Sequence, residues 1–435
     1  MRKWRRREVV ILICVGLMVL YLAVSGILKM FFHQDDIDYL IVISKYWPEA
    51  LWHRANEHVV VMFWLLYRAE WLVFGTNFSG FLFVNIILHL INLFLAGKLV
   101  YEETKSRFYG LLTALFLVVN NNWNESVWWS TGQMWLLATL FCLFFLLERK
   151  KTGGFIRKIW LTVLLVLPGI SWGVGLLWPV IVFVGFGLRK RGNGVRVTAV
   201  GYLAMVAQLV LALVYRAIFV SIIKPVSPFS LTRVFQSVSF VLVGLSNTVV
   251  GRLLFPWENK PVRLVVLVAV LLFVIYNRKS ISKRIMFFEG FLLFSVVAFF
   301  STYALGRASF GIGQAMATRY AYLPTFFLVM GCLVLVSRFK NQLFENLMFL
   351  LGIYCLAGGL VVFNWRVTEW TKRPQQTRQY FTLIKQSKTE NCYVDELLPK
   401  FINPEPTKRL SDLIFPLKTS LRFGTEKQNC VLLTQ

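Results

Sequence analysis

Residues 1–38, MRKWRRREVVILICVGLMVLYLAVSGILKMFFHQDDID, decide the class of fold. A basic flank, Met1-Arg2-Lys3-Trp4-Arg5-Arg6-Arg7, precedes an apolar run from Val9 to Leu28, about 20 residues and long enough to cross the hydrocarbon core of a bilayer. The positive flank puts the N-terminus on the cytoplasmic side. A cleaved signal peptide is the competing reading, since small residues occur at Ala23-Val24-Ser25. The long core and the further apolar runs favour an uncleaved anchor. Asp35-Asp36-Ile37-Asp38 follows almost at once, on the side away from the cytoplasm. Carboxylates this close repel one another, and taking them out of water costs free energy. A crowded, partly dry carboxylate site is how a protein builds a general base. The competing reading is a solvated negative loop after an anchor.

Working outward, the 435 residues are 57% hydrophobic and only 16% charged, with a mean hydropathy of +0.62. The apolar residues come in long runs, as in a polytopic membrane protein. The net charge of +26 would suit nucleic acid if it lay on one soluble face. Instead, Lys and Arg cluster in short loops between apolar runs, the pattern that orients membrane proteins, so no nucleic-acid partner is expected. Approximate spans fall at 9–28, 79–100, 108–121, 132–147, 158–171, 173–188, 197–221, 262–276, 286–304, 322–337 and 343–363. The expected fold is therefore all-α, with roughly 11 transmembrane helices plus interfacial ones. Loops assigned to the inside carry Arg149-Lys150-Lys151, Arg189-Lys190-Arg191, Arg278-Lys279 and Arg338 with Lys340. Residues 59–77 read as amphipathic interfacial helix and 231–255 as a re-entrant or interfacial hairpin. Residues 1–363 are expected to form the membrane catalytic domain, with its first outer loop at 31–78, and 364–435 a small extracytoplasmic tail. Cys392 and Cys430 fall in that tail, where an oxidising compartment would pair them. The cysteines show no CxxC pair or Cys/His ligand spacing, which argues against a zinc site.

Chemistry-bearing residues gather on one side. The first outer loop adds His33 and Trp52-His53-Arg54-Ala55-Asn56-Glu57-His58 to the acidic cluster. Later outer loops hold Asn121 to Trp129, Ser171 to Gly175, and Gly306-Arg307 running on to Thr318-Arg319-Tyr320. Each has a plainer reading: interfacial histidines with satisfied hydrogen bonds, an aromatic belt at headgroup depth, a snorkelling arginine at a helix start. Asn85, His89 and Asn92 share one face of a span and so point at protein or a cavity, most simply for interhelical hydrogen bonding.

The Asp-Asp pair after span one, the Asn-Glu-His element, the Asn85/His89/Asn92 helix and the late Arg-Tyr element resemble integral-membrane glycosyltransferases of the GT-C fold. The likeness is to bacterial relatives of protein O-mannosyltransferases and their tetratricopeptide-bearing cousins. It covers residues 1–150 and 300–325; the rest matches only in hydropathy. The resemblance implies a sugar donor carried on a polyprenyl phosphate, inversion at the anomeric carbon, and an acceptor hydroxyl on a glycan or protein outside. Asp35 would be the base and Asp36 its neighbour. Arg319, Tyr320 and Arg307 would hold the donor phosphate, and His53, Asn56, Glu57 and His58 would contact acceptor or sugar. An arginine fork independently suits a phosphate leaving group. No cofactor is required, and a divalent metal, although so many carboxylates would admit one, is not predicted. The expected setting is a bacterial inner membrane, with the active site facing the periplasm and an O-antigen or other cell-envelope glycan as acceptor. Asp38 has no assigned role, and the short tail stands where the cousins carry repeats. The rivals are a polysaccharide polymerase or ligase, which would rely on arginines in a large outer loop, and a transporter or flippase of lipid-linked sugars, which would show repeat symmetry.

Overall fold

The computed structural model describes residues 5–32, 35–52, 54–55, 58–120, 123–151, 154–187, 200–211, 231–249, 287–308, 311, 314–315, 317–339, 342–386, 392–394, 398, 413 and 422–424. Without water in a bilayer core, a spanning segment must satisfy its own backbone, so the apolar runs fold as helices. They are α1 (Arg6–Lys29), α2 (Asp35–Lys45), α3 (Val61–Phe74), α4 (Phe78–Thr104), α5 (Arg107–Val119), α6 (Asn124–Trp128), α7 (Gln133–Glu148), α8 (Phe155–Ser171) and α9 (Trp178–Gly187). There follow α10 (Val200–Leu211), α11 (Leu231–Val249), α12 (Phe287–Arg307), α13 (Thr318–Ser337), α14 (Gln342–Trp370) and α15 (Lys372–Gln386). Short strands add an antiparallel pair, β1 (Arg54–Ala55) with β2 (His58–Val59), and a parallel pair, β3 (Cys392–Val394) with β4 (Arg422–Gly424). The protein is an all-α polytopic membrane protein.

Among the described residues, six helical stretches are long and apolar enough to cross a membrane: Arg6–Lys29, Phe78–Thr104, Ser130–Glu148, Phe287–Ala304, Thr318–Ser337 and Gln342–Leu360. The expected spans at 108–121, 158–171, 173–188 and 197–221 fall on the shorter α5, α8, α9 and α10. The one at 262–276 lies outside the described residues. One expectation is corrected: Leu231–Val249 forms a single unbroken helix where a hairpin was read. It has no proline to break it, and its one glycine, Gly244, seats directly against the Phe300 ring, packing α11 along α12.

Packing follows the logic of a membrane interior, where close approach and hydrogen bonds hold helices together. α4 is flanked by α5 and α7, and α12 by α11 and α13. Gly97 and Gly110 meet where α4 crosses α5; a Cβ on either would lie 2.9 Å from the other's carbonyl oxygen. Nearly all of α7 is buried, whereas α1 and α14 turn apolar residues such as Leu17, Leu28 and Leu350 outward. α4, α7 and α13 thus form the central layer, and their ends define two faces. At one, α1 ends and α4, α7 and α13 begin; at the other, α4 ends near Glu103 and α7 near Glu148.

Candidate active site

Asp36, the second residue of α2, has no exposed surface. Its Oδ1 accepts from Ser130 Oγ at 2.5 Å and from the Thr131 backbone N–H at 3.1 Å. With its one proton given to Asp36, Ser130 accepts from the Tyr67 hydroxyl at 2.8 Å. Burial, and next the Asp36 charge, hold the Tyr67 phenol well above its ordinary range, so it stays a donor. One turn on in α3, Glu70 is buried and accepts from Gln133 Nε2 at 2.5 Å. Desolvation raises the Glu70 carboxyl well above the usual range, against the opposing pull of that hydrogen bond. Three side chains from α2 and α3 therefore grip the same four residues, 130–133.

That segment folds so tightly that only glycine fits at its centre. A Cβ on Gly132 would stand 2.0 Å from the Ser126 carbonyl oxygen. From the other side, Asn85 Nδ2 donates to the Val127 and Trp129 carbonyls at 3.1 and 2.8 Å. Asn92 Nδ2 donates to the Leu136 carbonyl at 3.0 Å and to the Tyr322 hydroxyl at 3.3 Å, while His89 Nδ1 is 2.8 Å from that hydroxyl. The polar stripe of α4 thus ties α6, α7 and α13 together by interhelical hydrogen bonds, the plainer of the readings open to it.

Glu125, buried in α6, reaches the start of α13. Its Oε2 accepts from the Arg319 backbone N–H at 2.9 Å, and its Oε1 is 3.6 Å from Arg319 Nη1. A carboxylate there satisfies an orphan donor and favours the positive end of the helix dipole. The Arg319 guanidinium lies over the Trp129 and Tyr320 rings, 5.5 and 5.1 Å from their centroids. Asp35 is close enough for its charge to act on that guanidinium. Beneath, Tyr320 stacks toward Trp172 at 6.2 Å and contacts Tyr303 at 5.2 Å, and Trp172 meets Trp135 at 5.4 Å.

The structure therefore brings Asp36 and Arg319 onto one element, residues 124–133, with Asp35 and Tyr320 as their chain neighbours. Arg307 ends α12 at the same face. His58 lies in β2, paired in register with Ala55. His53, Asn56 and Glu57 lie outside the described residues. Asp36 spends its Oδ1 on Ser130 and Thr131, and Tyr320 is a wall of the aromatic cluster. Sequence reading did not single out Glu125, Tyr67, Glu70, Ser130, Thr131 or Gln133. A carboxylate inside the tryptophan-rich stretch was the available signal for Glu125; the hydroxyls carry none. Among the described residues, no three His, Cys, Asp or Glu side chains are grouped as a metal would need.

No family model matches the chain, and no curated protein matches it. Solved structures do. The crystal structure of ArnT from Cupriavidus metallidurans bound to undecaprenyl phosphate superposes with a TM-score of 0.60 at 11% identity, over 95% of this chain and 85% of that one. The Archaeoglobus fulgidus oligosaccharyltransferase in complex with Zn and sulfate aligns at a TM-score of 0.46 and 13% identity, over 85% of this chain and 55% of that one. The chain therefore shares the GT-C fold of ArnT over most of both lengths.

Proposed function

We propose that this protein is a membrane glycosyltransferase that moves a sugar from a polyprenyl-phosphate donor to an acceptor hydroxyl. The observation that carries the reading is the meeting of an acidic helix start and an arginine across residues 124–133. Asp35, half-buried at the start of α2, takes the proton of the acceptor hydroxyl. The acceptor oxygen attacks the anomeric carbon, the bond to the phosphate oxygen breaks, and inversion follows from this single displacement. Arg319, together with Arg307 at the end of α12, stabilises the charge that gathers on the departing polyprenyl phosphate. Asp36 and Tyr67 act by position, fixing α2 and the 130–131 turn so that Asp35 and Arg319 keep their spacing.

The undecaprenyl phosphate held by ArnT supports the donor class. In this reading the N-terminus is cytoplasmic, in keeping with the basic loops, and the site faces outward from a bacterial inner membrane, with a cell-envelope glycan such as O-antigen, or an exported protein, as the acceptor. The test is sugar transfer in reconstituted vesicles from a panel of short-chain polyprenyl-phosphate sugars to a native envelope extract. Transfer from at least one donor, lost in Arg319→Ala, supports the reading. No transfer across the panel, with uptake of a lipid-linked sugar instead, would replace it with transport.

A further inference from the structure

Helix α15, from the polar end of the chain, docks against the opposite end of the sequence. Tyr380, Phe381 and Ile384 are buried, and the Phe381 ring meets Phe31 edge-on at 5.5 Å. Phe31 in turn contacts Phe32, which packs against Phe78 and Phe81 at 5.2 and 5.1 Å. On the same helix Arg378 reaches the end of α1. Its Nη2 donates to the Met30 carbonyl at 2.6 Å and lies 3.5 Å from the Ile27 carbonyl; its Nη1 lies 3.3 Å from the Leu28 carbonyl. The guanidinium also sits 5.5 Å from the Phe31 ring centroid. These carbonyls belong to the last turn of α1 and its cap, which has no intrahelical donors left, and a cation there complements the helix dipole. About two turns further along α15, Lys385 Nζ donates to Thr76 Oγ1 at 2.7 Å, in the connection between α3 and α4.

The two connections held this way are the ones that matter to the site. Met30 is five residues before Asp35, and Thr76 follows the helix that carries Tyr67 and Glu70. A planar, five-donor guanidinium reads several carbonyls at once in a way that a single ammonium does not. We infer that Arg378 is a positioning residue: by clamping the end of α1, helix α15 fixes where α2 begins and so where Asp35 stands relative to Arg319. The inference rests on the proposed function for its catalytic consequence only.

Hydrogen–deuterium exchange on the full chain in nanodiscs separates the two parts. The comparison is wild type, Arg378→Ala, Arg378→Lys and, as a control on an exposed neighbour, Gln379→Ala. Loss of the clamp is expected to speed amide exchange around residues 30–40 by about tenfold, the scale of one charge-assisted hydrogen bond. Exchange in α4 and α5 should stay unchanged, which also reports that the fold is intact. Arg378→Lys should fall between, and Gln379→Ala should match wild type. If Arg378→Ala does not fold, the lysine variant carries the same comparison. In the transfer assay, kcat should fall in step with exchange while the KM for donor holds, with partial rescue by lysine. Unchanged exchange at 30–40 would overturn the clamp. Faster exchange with wild-type kcat would overturn its link to Asp35. Faster exchange in a protein whose wild type transfers nothing would uphold the clamp and remove the glycosyltransferase reading.

Discussion

Glu125 and Glu289 are both buried carboxylates joined to an arginine at the ends of the same bundle, and the two pairs are built differently. Glu289 has no exposed surface and takes Arg338 Nε at 2.9 Å, joining the start of α12 to the end of α13. Nearby at that face, Glu103 takes Arg149 at 3.1 Å and Lys150 at 2.6 Å, and Glu148 takes Lys151 and Arg157. There the cations of the loops are spent on fastening helix ends. At the other face Glu125 accepts its short hydrogen bond from the Arg319 backbone N–H, and the Arg319 side chain stands back at 3.6 Å, shared with two aromatic rings. A guanidinium held by a loose ion pair and ring faces is kept in place yet remains able to take a second anion. A guanidinium bonded at 2.9 Å to a buried carboxylate is a fastener. The first arrangement suits a phosphate site and the second suits a closure.

Substitutions at the two faces should separate accordingly. Asp35→Asn is expected to lower transfer by about 10³-fold, within the range for a general base, while Glu103→Gln at the opposite face leaves transfer within about twofold. Equal losses in both would erase the distinction between the faces. Arg319→Ala should lower transfer by about 10²-fold through kcat, and Arg319→Lys by less, because a point charge replaces a fork. Glu289→Ala should act in the opposite sense: it leaves Arg338 without its buried partner and costs about 3 kcal/mol of stability, read as faster thermal inactivation, with kcat unchanged in the protein that remains folded.

Glu70 gives a smaller, pH-dependent effect. Its folded-state pKa is raised well above 4.5, so the folded protein binds the proton more tightly than the unfolded chain. Stability therefore falls as pH rises from the unfolded pKa toward the folded one. Glu70→Gln keeps the contact with Gln133 and removes the titration. Melting at about pH 8 should be higher in the variant than in wild type, and the two should converge near about pH 4. A pH-independent difference would mean that Glu70 is ionised in the folded protein. Smallest of all, Lys151→Ala at the exposed Glu148 pair should change stability by no more than about 0.5 kcal/mol.

The sequence was legible where the bilayer dictates the pattern. The apolar run after Arg7 is α1, and the stripe at Asn85, His89 and Asn92 lies inside the bundle, because polar atoms facing lipid would go unsatisfied. The acidic cluster and Arg319 come to the same place, since both close the same face of the membrane helices. What could not be read depends on tertiary approach. Ser130 and Thr131 are ordinary residues until Gly132 lets the turn fold onto Ser126 and offers them to Asp36. Glu125 looks like any loop acid until α13 begins above it. The charge pattern of the loops asks residues 231–255 to start and finish on one side, as a hairpin would, yet Leu231–Val249 is one helix with no proline to turn it. Arg378 lies about 350 residues from the carbonyls it holds, and no local pattern announces such a contact.

The most direct test of the central claim measures donor binding and transfer side by side for wild type and Asp35→Asn in the same vesicles. Retained binding of a polyprenyl-phosphate sugar with transfer lowered about 10³-fold is the predicted result, because Arg319 would still hold the phosphate while the acceptor hydroxyl keeps its proton. Transfer by Asp35→Asn at the wild-type rate would contradict it and move the chemistry away from the acidic helix.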